Sequence, residues 1–264
     1  MEENYLEINK KTWNNRTEVH VDSEFYDNES FLKGRSSLNS IELDLFGDIK
    51  GKKILHLQCH FGQDSISLSR LGAQVTGVDF SDVAIEKAKE LAQKMDVDTS
   101  FICCDVYSLP DILEEQFDIV FTSYGTIGWL PDINRWGSVV SHFLKPGGQF
   151  VFAEFHPVVW MFDSEFKFVK YNYFNTETII EESEGTYTDG GEEMRNTEIS
   201  WNHPMSDVVN SLMSSGLEIL SLKEFDYSPY NCFANMEEVS SGEFVISGLK
   251  RRIPMVYAIL AQKK

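Results

Sequence analysis

Basic residues are scarce in this chain. Its 264 residues include 23 lysines and arginines against 42 aspartates and glutamates, a net charge of −19. A surface of that sign repels phosphate backbones, which argues against nucleic acid as a partner. Lys250, Arg251 and Arg252 near the end, with Lys263 and Lys264, read as solvated charges. Cysteine is also scarce: Cys59, Cys103, Cys104 and Cys232 contain no CxxC pair, so reduced thiols in a cytoplasmic protein are the simplest reading. No apolar run approaches the ~20 residues needed to span a bilayer. The longest, such as Phe150 to Phe155, are strand length. The opening MEENYLEINKK lacks the apolar stretch of a secretory signal. The expectation is a cytoplasmic protein with no membrane partner. Hydrophobic content of 42% is globular, and the length suits one large α/β domain with an elaboration.

What is present is alternation. Ile54–Leu57, Ala73–Val78, Phe101–Cys104, Phe117–Thr122 and Gln149–Phe155 read as strands. Between them lie helical patterns. Gly62 to Leu71 stops at Gly72, and Ser81 caps a run with Ala84, Ile85, Ala88, Leu91, Ala92 and Met95 at helical spacing. Trp136, Val139, Val140, Phe143 and Leu144 mark one face of a third helix. Strands alternating with helices imply right-handed crossovers and a parallel sheet with helices on both faces. A helix over Ser206 to Ser215 and strands over Leu217–Phe225 and Val256–Ala261 extend the sheet to seven strands.

Two segments stand outside the alternation. Residues 1–50 read as helical and aromatic, a lid ahead of a core at 51–158. Residues 159–205 carry Phe166 to Phe174, Glu177 to Glu182 and Arg195 to Trp201, whose patterns suggest inserted β-hairpins. Residues 206–264 complete the sheet, within a single domain spanning 1–264.

In an open parallel sheet, ligands bind beyond the carboxyl ends of the strands, where strand order reverses. The loops after the strands therefore carry the candidate site. The first is Gln58-Cys-His-Phe-Gly62, where only Gly62 lacks the Cβ that hinders a tight turn. The second holds Asp79, 17 residues beyond Gly62, whose ionised carboxylate can accept two hydrogen bonds from a ribose diol. Phe80 can lie against an adenine ring. The plainer role for Asp79 is to start the next helix, where negative charge suits the dipole. Asp105 can accept from an adenine amine while the Val106 amide meets a ring nitrogen; the plainer role is a turn aspartate. The fourth loop, Thr122 to Pro131, supplies Ser123, Tyr124 and Trp129 to a site floor.

Lys53-Ile-Leu-His-Leu-Gln-Cys-His-Phe-Gly62, Val75-Thr-Gly-Val-Asp-Phe-Ser81, Phe117-Asp-Ile-Val-Phe121 and Leu144-Lys-Pro-Gly-Gly-Gln-Phe150 together resemble the class I S-adenosylmethionine-dependent methyltransferase family. The first loop resembles a bacterial subgroup that reads Leu-His-Leu-Gln-Cys-His-Phe-Gly. The resemblance covers about residues 50 to 156 and extends to Trp13-Asn14 and Trp201-Asn-His-Pro204. It implies a Rossmann-like methyltransferase fold and S-adenosyl-L-methionine as cofactor. The family's first loop usually reads acid-Leu-Gly-Cys-Gly-x-Gly. Here His56 stands at the acid, and Gln58 and His60 stand at the first two glycines. Both side chains can compensate by hydrogen bonding the carboxylate or hydroxyls of the cofactor, so the cofactor set is Gln58, His60, Gly62, Asp79, Phe80, Asp105, Val106 and Ser123.

Methyl transfer is an in-line displacement that needs alignment and a dehydrated nucleophile. The implied acceptor is a small molecule, with His156 as candidate catalytic base. Trp13, Tyr26, Tyr124, Trp129, His203 and Tyr230 are candidates for the acceptor pocket, although each suits ordinary packing or turn roles. No metal is expected, because His56, Cys59 and His60 diverge along a strand and lack a fourth ligand. A non-catalytic cofactor-binding protein is the alternative from another class, motivated by the glycine-poor loop. A nicotinamide-dependent oxidoreductase is a third reading, disfavoured because G-x-G-x-x-G is missing.

Overall fold

The structure, a computed structural model, describes residues 4–174 and 177–264. Three helices come first: α1 (Tyr5–His20), α2 (Asn28–Leu32) and α3 (Ser40–Phe46). The alternating core follows as β1 (Lys53–Leu57), α4 (Gln63–Arg70), β2 (Gln74–Asp79), α5 (Asp82–Lys94), β3 (Ser100–Cys103), β4 (Phe117–Ser123), α6 (Ile133–Phe143) and β5 (Leu144–Phe155). Then come β6 (Ile179–Glu184), β7 (Arg195–Ser200), α7 (Met205–Ser214), β8 (Leu217–Phe225), β9 (Met236–Ser240), β10 (Glu243–Ile246) and β11 (Val256–Lys263).

The main sheet runs β3-β2-β1-β4-β5-β11-β8. The first five strands pair in parallel, and β11 is antiparallel to both β5 and β8. This is the seven-stranded, mostly parallel α/β sheet expected from the alternation. Strand order reverses between β1 and β4, which opens a crevice at their carboxyl ends.

Both faces are covered, so the central strands are largely apolar, with His56 of β1 and Glu154 of β5 as buried polar exceptions. Leu55 and Leu57 pack in one layer with Trp136, Val140 and Phe143 of α6. Ile54, pointing the other way, packs with Leu45 and Phe46 of α3. α5 buries Ala84, Ile85, Ala88, Leu91 and Ala92, the face its spacing implied, and Ser81 caps it by accepting from the Ala84 N–H at 3.0 Å. Gly62 is required where α4 meets the sheet. A Cβ there would sit 2.7 Å from the Phe101 ring and 2.9 Å from Ala88 Cβ.

The insertion differs from expectation in one part. β6 and β7 form an antiparallel hairpin, but Phe166 to Phe174 is not a strand and contributes only an isolated bridge between Phe162 and Val169. The Asp163 carboxylate accepts from the Lys167 and Phe168 N–H groups at 2.7 and 2.9 Å, and that local turn displaces a ladder. Asn175 and Thr176, within the expected insertion, lie outside the described residues. A second hairpin, β9 with β10, was not anticipated, because Glu237 and Glu238 give β9 no alternating apolar face. Among the described residues, no helix is long and apolar enough to cross a membrane.

Candidate functional site

The loop after β1 lies in the crevice and is wound tightly. Gln58, His60 and Gly62 have φ of 57°, 50° and 81°. Gly62 was expected to relax this turn alone; instead, two side chains also occupy the left-handed region, at a cost of order 1–3 kcal/mol each. The surroundings hold them there. Cys59 N–H donates to the Val78 carbonyl at 2.9 Å, and Gln58 Nε2 donates to the Thr126 carbonyl at 2.8 Å. His60 N–H donates to Asp79 Oδ2 at 2.9 Å, while Asp79 Oδ1 accepts from Ser81 N–H at 2.9 Å. Asp79 therefore ties the strained loop to the next helix. Burial pushes its pKa up to about 6 against the opposing pull of these N–H groups. A carboxylate offers roughly four lone-pair directions, so acceptor capacity remains beside the backbone N–H groups of His60, Phe80 and Ser81.

α1 and the β6–β7 hairpin meet above this loop. The Asn9 side chain donates to the Ile199 carbonyl at 2.8 Å and accepts from its N–H at 3.0 Å. Thr12 Oγ1 donates to the Thr197 carbonyl at 2.8 Å. Arg16 pairs with Glu198 at 2.5 Å and lies 5.3 and 5.6 Å from the ring centroids of Trp13 and Trp129. Trp13 packs edge-on against both His60 and Trp129. His20 Nδ1 is 3.0 Å from His60 Nε2, and His20 Nε2 is 2.8 Å from Thr186 Oγ1. Burial, chiefly, lowers these imidazoles to about 2 and about 3, so both are neutral at pH 7. Tyr26 and Tyr187 share a hydroxyl hydrogen bond of 2.6 Å.

On the opposite side, Glu154 organises the loop after β4. Its two oxygens accept from the N–H groups of Gly125, Thr126, Ile127 and Phe155 and from Thr126 Oγ1. Tyr124, at φ 36°, stands at the head of that loop.

These elements line a cavity of about 830 Å³, within the range of small-molecule sites. Gln58, His60, Gly62, Asp79, Phe80, Ser123, Tyr124, Trp129, Trp13, Tyr26 and Tyr230 all line it. Asp105 and Val106 line a smaller adjoining pocket of about 30 Å³ with Phe80, Asp79 and Trp129, roofed by Tyr5, Leu6 and Asn9 of α1. Asp105 Oδ1 also accepts from the Tyr107 and Ser108 N–H groups at 2.9 and 3.2 Å, so it shapes its turn as well. Two buried polar atoms at the first loop, Gln58 Oε1 and His60 Nδ1, have no partner within the protein.

Two expected residues lie elsewhere. His156 lines neither pocket. Its Nδ1 accepts from the Val158 N–H at 3.2 Å, and its Nε2 faces Glu224 of β8 at 3.0 Å. The ring is turned along the sheet because β11 pairs beside β5 at this end, with His156 N–H bonded to the Met255 carbonyl at 2.9 Å. His203 also lines neither pocket; its Nε2 bonds the Leu130 carbonyl at 2.7 Å, holding a turn. Among the described residues, no three His, Cys, Asp or Glu side chains gather as a metal site. Arg16, His20, Asp64 and Glu154 were not anticipated. Glu154 did carry a signal, being an acid inside the apolar run Phe150 to Phe155, and a buried acid needs partners.

Residues 54–148 match the family described as "Methyltransferase domain". In overall shape the chain is similar to a putative S-adenosylmethionine-dependent methyltransferase from Listeria monocytogenes, with a TM-score of 0.57, 19% identity, and coverage of 84% of this chain and 96% of that one. It is also similar to a geranyl diphosphate C-methyltransferase from Streptomyces coelicolor, with a TM-score of 0.56, 13% identity, and coverage of 84% and 76%. The chain has the Rossmann-like methyltransferase fold. Among curated proteins, it is 30% identical over 135 residues to a ubiquinone biosynthesis O-methyltransferase from Alkalilimnicola ehrlichii, covering 50% of this chain and 54% of that protein. The chain thus spans about half the length of the curated relatives it matches. The domain match is confined to residues 54–148, and the likeness to the solved structures is one of fold.

Proposed function

We propose that this chain transfers the methyl group of S-adenosylmethionine to a small-molecule acceptor inside the large cavity. The observation that carries this reading is the placement of Asp79. It is a buried carboxylate at the end of β2, with acceptor capacity left over, lining both the large cavity and the small pocket of Asp105 and Val106. Asp79 would hold the ribose diol of the cofactor, Phe80 and Val106 its adenine, and Gln58 and His60 its amino-acid end. The orphaned Gln58 Oε1 and His60 Nδ1 then gain partners, which fits a ligand rich in polar atoms. When bound, the cofactor supplies an electrophilic methyl group on a cationic sulfur. The residues of this chain bind it, turn it toward the aromatic part of the cavity and keep water out.

The small pocket, at about 30 Å³, holds little more than one water. An adenine ring enters only if the α1 roof of Tyr5, Leu6 and Asn9 moves aside and closes again. That makes α1, with the hairpin bonded to it, a working lid, and closure over the cleft favours a small acceptor over a polymer.

Calorimetry with S-adenosylmethionine and S-adenosylhomocysteine tests the reading. Micromolar binding and a raised melting temperature are expected, since selective native-state binding stabilises the fold. Binding of a nicotinamide dinucleotide and of neither adenosyl compound refutes it. Cofactor binding with no methylated product from any small-molecule pool favours a non-catalytic binding protein. On the lid, amides from Leu6 to Phe31 and in the β6–β7 hairpin should become more protected from hydrogen exchange with cofactor bound. Protection confined to the loops after the strands refutes the lid.

A further inference from the structure

A second carboxyl centre besides Asp79 has one member in the cavity wall, Asp64, and one buried behind it, Glu42. Asp64, in the first turn of α4, is partly buried and lines the cavity. Ser123 Oγ donates to its Oδ2 at 3.2 Å. Glu42 of α3, fully buried, accepts from the Asn39 N–H at 2.6 Å and from the Tyr124 hydroxyl at 2.8 Å. Asn39 Nδ2 in turn donates to the Tyr230 hydroxyl at 2.7 Å. Burial, and then the Asp64 charge, hold the Glu42 carboxyl up at about 7, and burial raises Asp64 as well.

Among the described residues no cation forms an ion pair with either carboxyl, although the Arg35 charge reaches Asp64 and draws its pKa down against burial. Of the cavity's basic groups, Arg16 is paired with Glu198 and Lys170 with Glu181. Arg35 donates to the carbonyls of Tyr26 and Asp27 and lies 3.7 Å from the Asp27 carboxylate. A further wall atom also lacks a partner. His56 is 2% exposed and lines the same cavity, and its Nε2 has no hydrogen bond. The phenols of Tyr26, Tyr124 and Tyr230 are held well above their ordinary pKa, first by burial. The imidazoles of His20, His56 and His60 are poor bases for the same reason. Of the cavity carboxylates, Asp64 is held by serine hydroxyls alone; Asp79 and Glu154 accept backbone N–H groups, as does Asp163, and Glu181, Glu184 and Glu198 pair with Lys170, Arg195 and Arg16.

Resting on the methyl-transfer reading, we propose that Asp64 accepts the proton of the methyl acceptor, and that this acceptor is a small arylalkyl amine bound as its ammonium ion. An ammonium compensates the carboxyl pair and is drawn to the surrounding ring faces. A hydroxyl acceptor would instead develop negative charge beside Asp64 and Glu42, which like-charge repulsion opposes. The apolar remainder of such a ligand fits the walls made by Tyr124, Tyr230, Phe155 and Phe233. In the step, the ammonium N–H bond breaks; the proton goes to Asp64 and the electron pair stays on nitrogen. That pair forms the bond to the methyl carbon as the carbon–sulfur bond breaks, its electrons remaining on sulfur. The products are an N-methylammonium, a neutral thioether and the proton on Asp64, which passes to solvent.

The test uses the full chain saturated with S-adenosylhomocysteine. Benzylamine and 2-phenylethylamine are titrated against benzyl alcohol and 2-phenylethanol. The amines should bind at least about tenfold more tightly than the alcohols. Asp64→Asn should abolish that preference, keep the S-adenosylhomocysteine affinity within about threefold, and cut transfer of labelled methyl to the amine by about 100-fold or more, the usual loss of a general base. Asp64→Glu, which retains a proton acceptor, should keep the preference. Alcohols binding as well as amines, no amine binding to the parent protein at millimolar concentration, or a preference that survives Asp64→Asn each overturn the proposal. The amine–alcohol comparison on the parent protein decides even if Asp64→Asn fails to fold. Failure of the parent protein to bind S-adenosylhomocysteine refutes the methyltransferase reading instead.

Discussion

Replacing Glu154 with glutamine changes one atom and should cost several kilocalories. The carboxylate is 2% exposed. One oxygen accepts from the N–H groups of Gly125 and Phe155; the other accepts from Thr126 N–H at 2.8 Å, Thr126 Oγ1 at 2.9 Å and Ile127 N–H at 3.2 Å. Glutamine keeps one acceptor oxygen and puts an NH2 donor in place of the other. Whichever way the amide is turned, two buried backbone N–H groups face a donor. Each unsatisfied group costs about 1–3 kcal/mol. Part of the loss is returned because a neutral amide avoids the burial cost that raises the Glu154 pKa. The net destabilisation should be about 2–4 kcal/mol, which in a chain of this size lowers the melting temperature by about 4–7 °C. Circular dichroism melts of the parent and Glu154→Gln proteins in one buffer at pH 7.5 measure it. A change under about 2 °C would mean that Glu154 does not hold the Gly125–Ile127 loop.

Asp79→Ala should weaken S-adenosylmethionine binding by about 2–4 kcal/mol, from lost charge-assisted bonds, as read by calorimetry. It should also lower the melting temperature of the free protein, because His60 and Ser81 N–H lose their acceptor; an unchanged Kd assigns the carboxylate to loop support alone. Gly62→Ala should destabilise by about 2–4 kcal/mol in urea titrations, since the new Cβ overlaps Phe101 and Ala88 and the position has φ 81°; a loss under ~1 kcal/mol would show that α4 shifts freely. His56, lowered from 6.5 to about 3 by burial, binds its proton in the unfolded chain first. Its stabilising contribution is therefore present above pH 6.5 and lost as pH falls toward 3. Between pH 6 and 4, stability of His56→Gln should fall less steeply than the parent's by about one proton, or ~1.4 kcal/mol per pH unit; parallel slopes would contradict a buried neutral imidazole.

The sheet was legible because both of its faces are buried. Ile54, Leu55 and Leu57 cannot be mistaken for a surface segment, and Ser81 and Gly72 punctuate the helices beside them. The cofactor loops were legible for a related reason: topology alone puts Asp79 and Asp105 at strand ends. Side-chain direction was not. His156 follows the strand that ends at the crevice, yet its ring points along the sheet to Glu224, because β11 and β8 cover that side. The partners of α1 were also out of reach, since Arg16 and Glu198 meet only through the hairpin, and no local pattern encodes that encounter. The left-handed backbone at Gln58 and His60 contradicts their intrinsic preferences and depends on acceptors supplied by Asp79 and Thr126. The turn at Asp163 shows the opposite case, in which a short-range hydrogen bond overrides a strand-like alternation.

The bonds that seat α1 join residues far apart in the chain: Asn9 with Ile199, Thr12 with Thr197 and Arg16 with Glu198, at separations of 190, 185 and 182 residues. At ribosomal rates of about 5–20 residues per second, the helix waits ~10–40 s after its own synthesis before those partners emerge. By then β1 to β5 have left the ribosome and can assemble as a sheet core, because their contacts are shorter in range. α1, translated before the sheet core, thus docks after it, and the cavity wall is completed only after the hairpin forms. Nascent chains halted before about residue 200 should already protect Leu55 and Val120 in the core while Trp13 stays open to solvent.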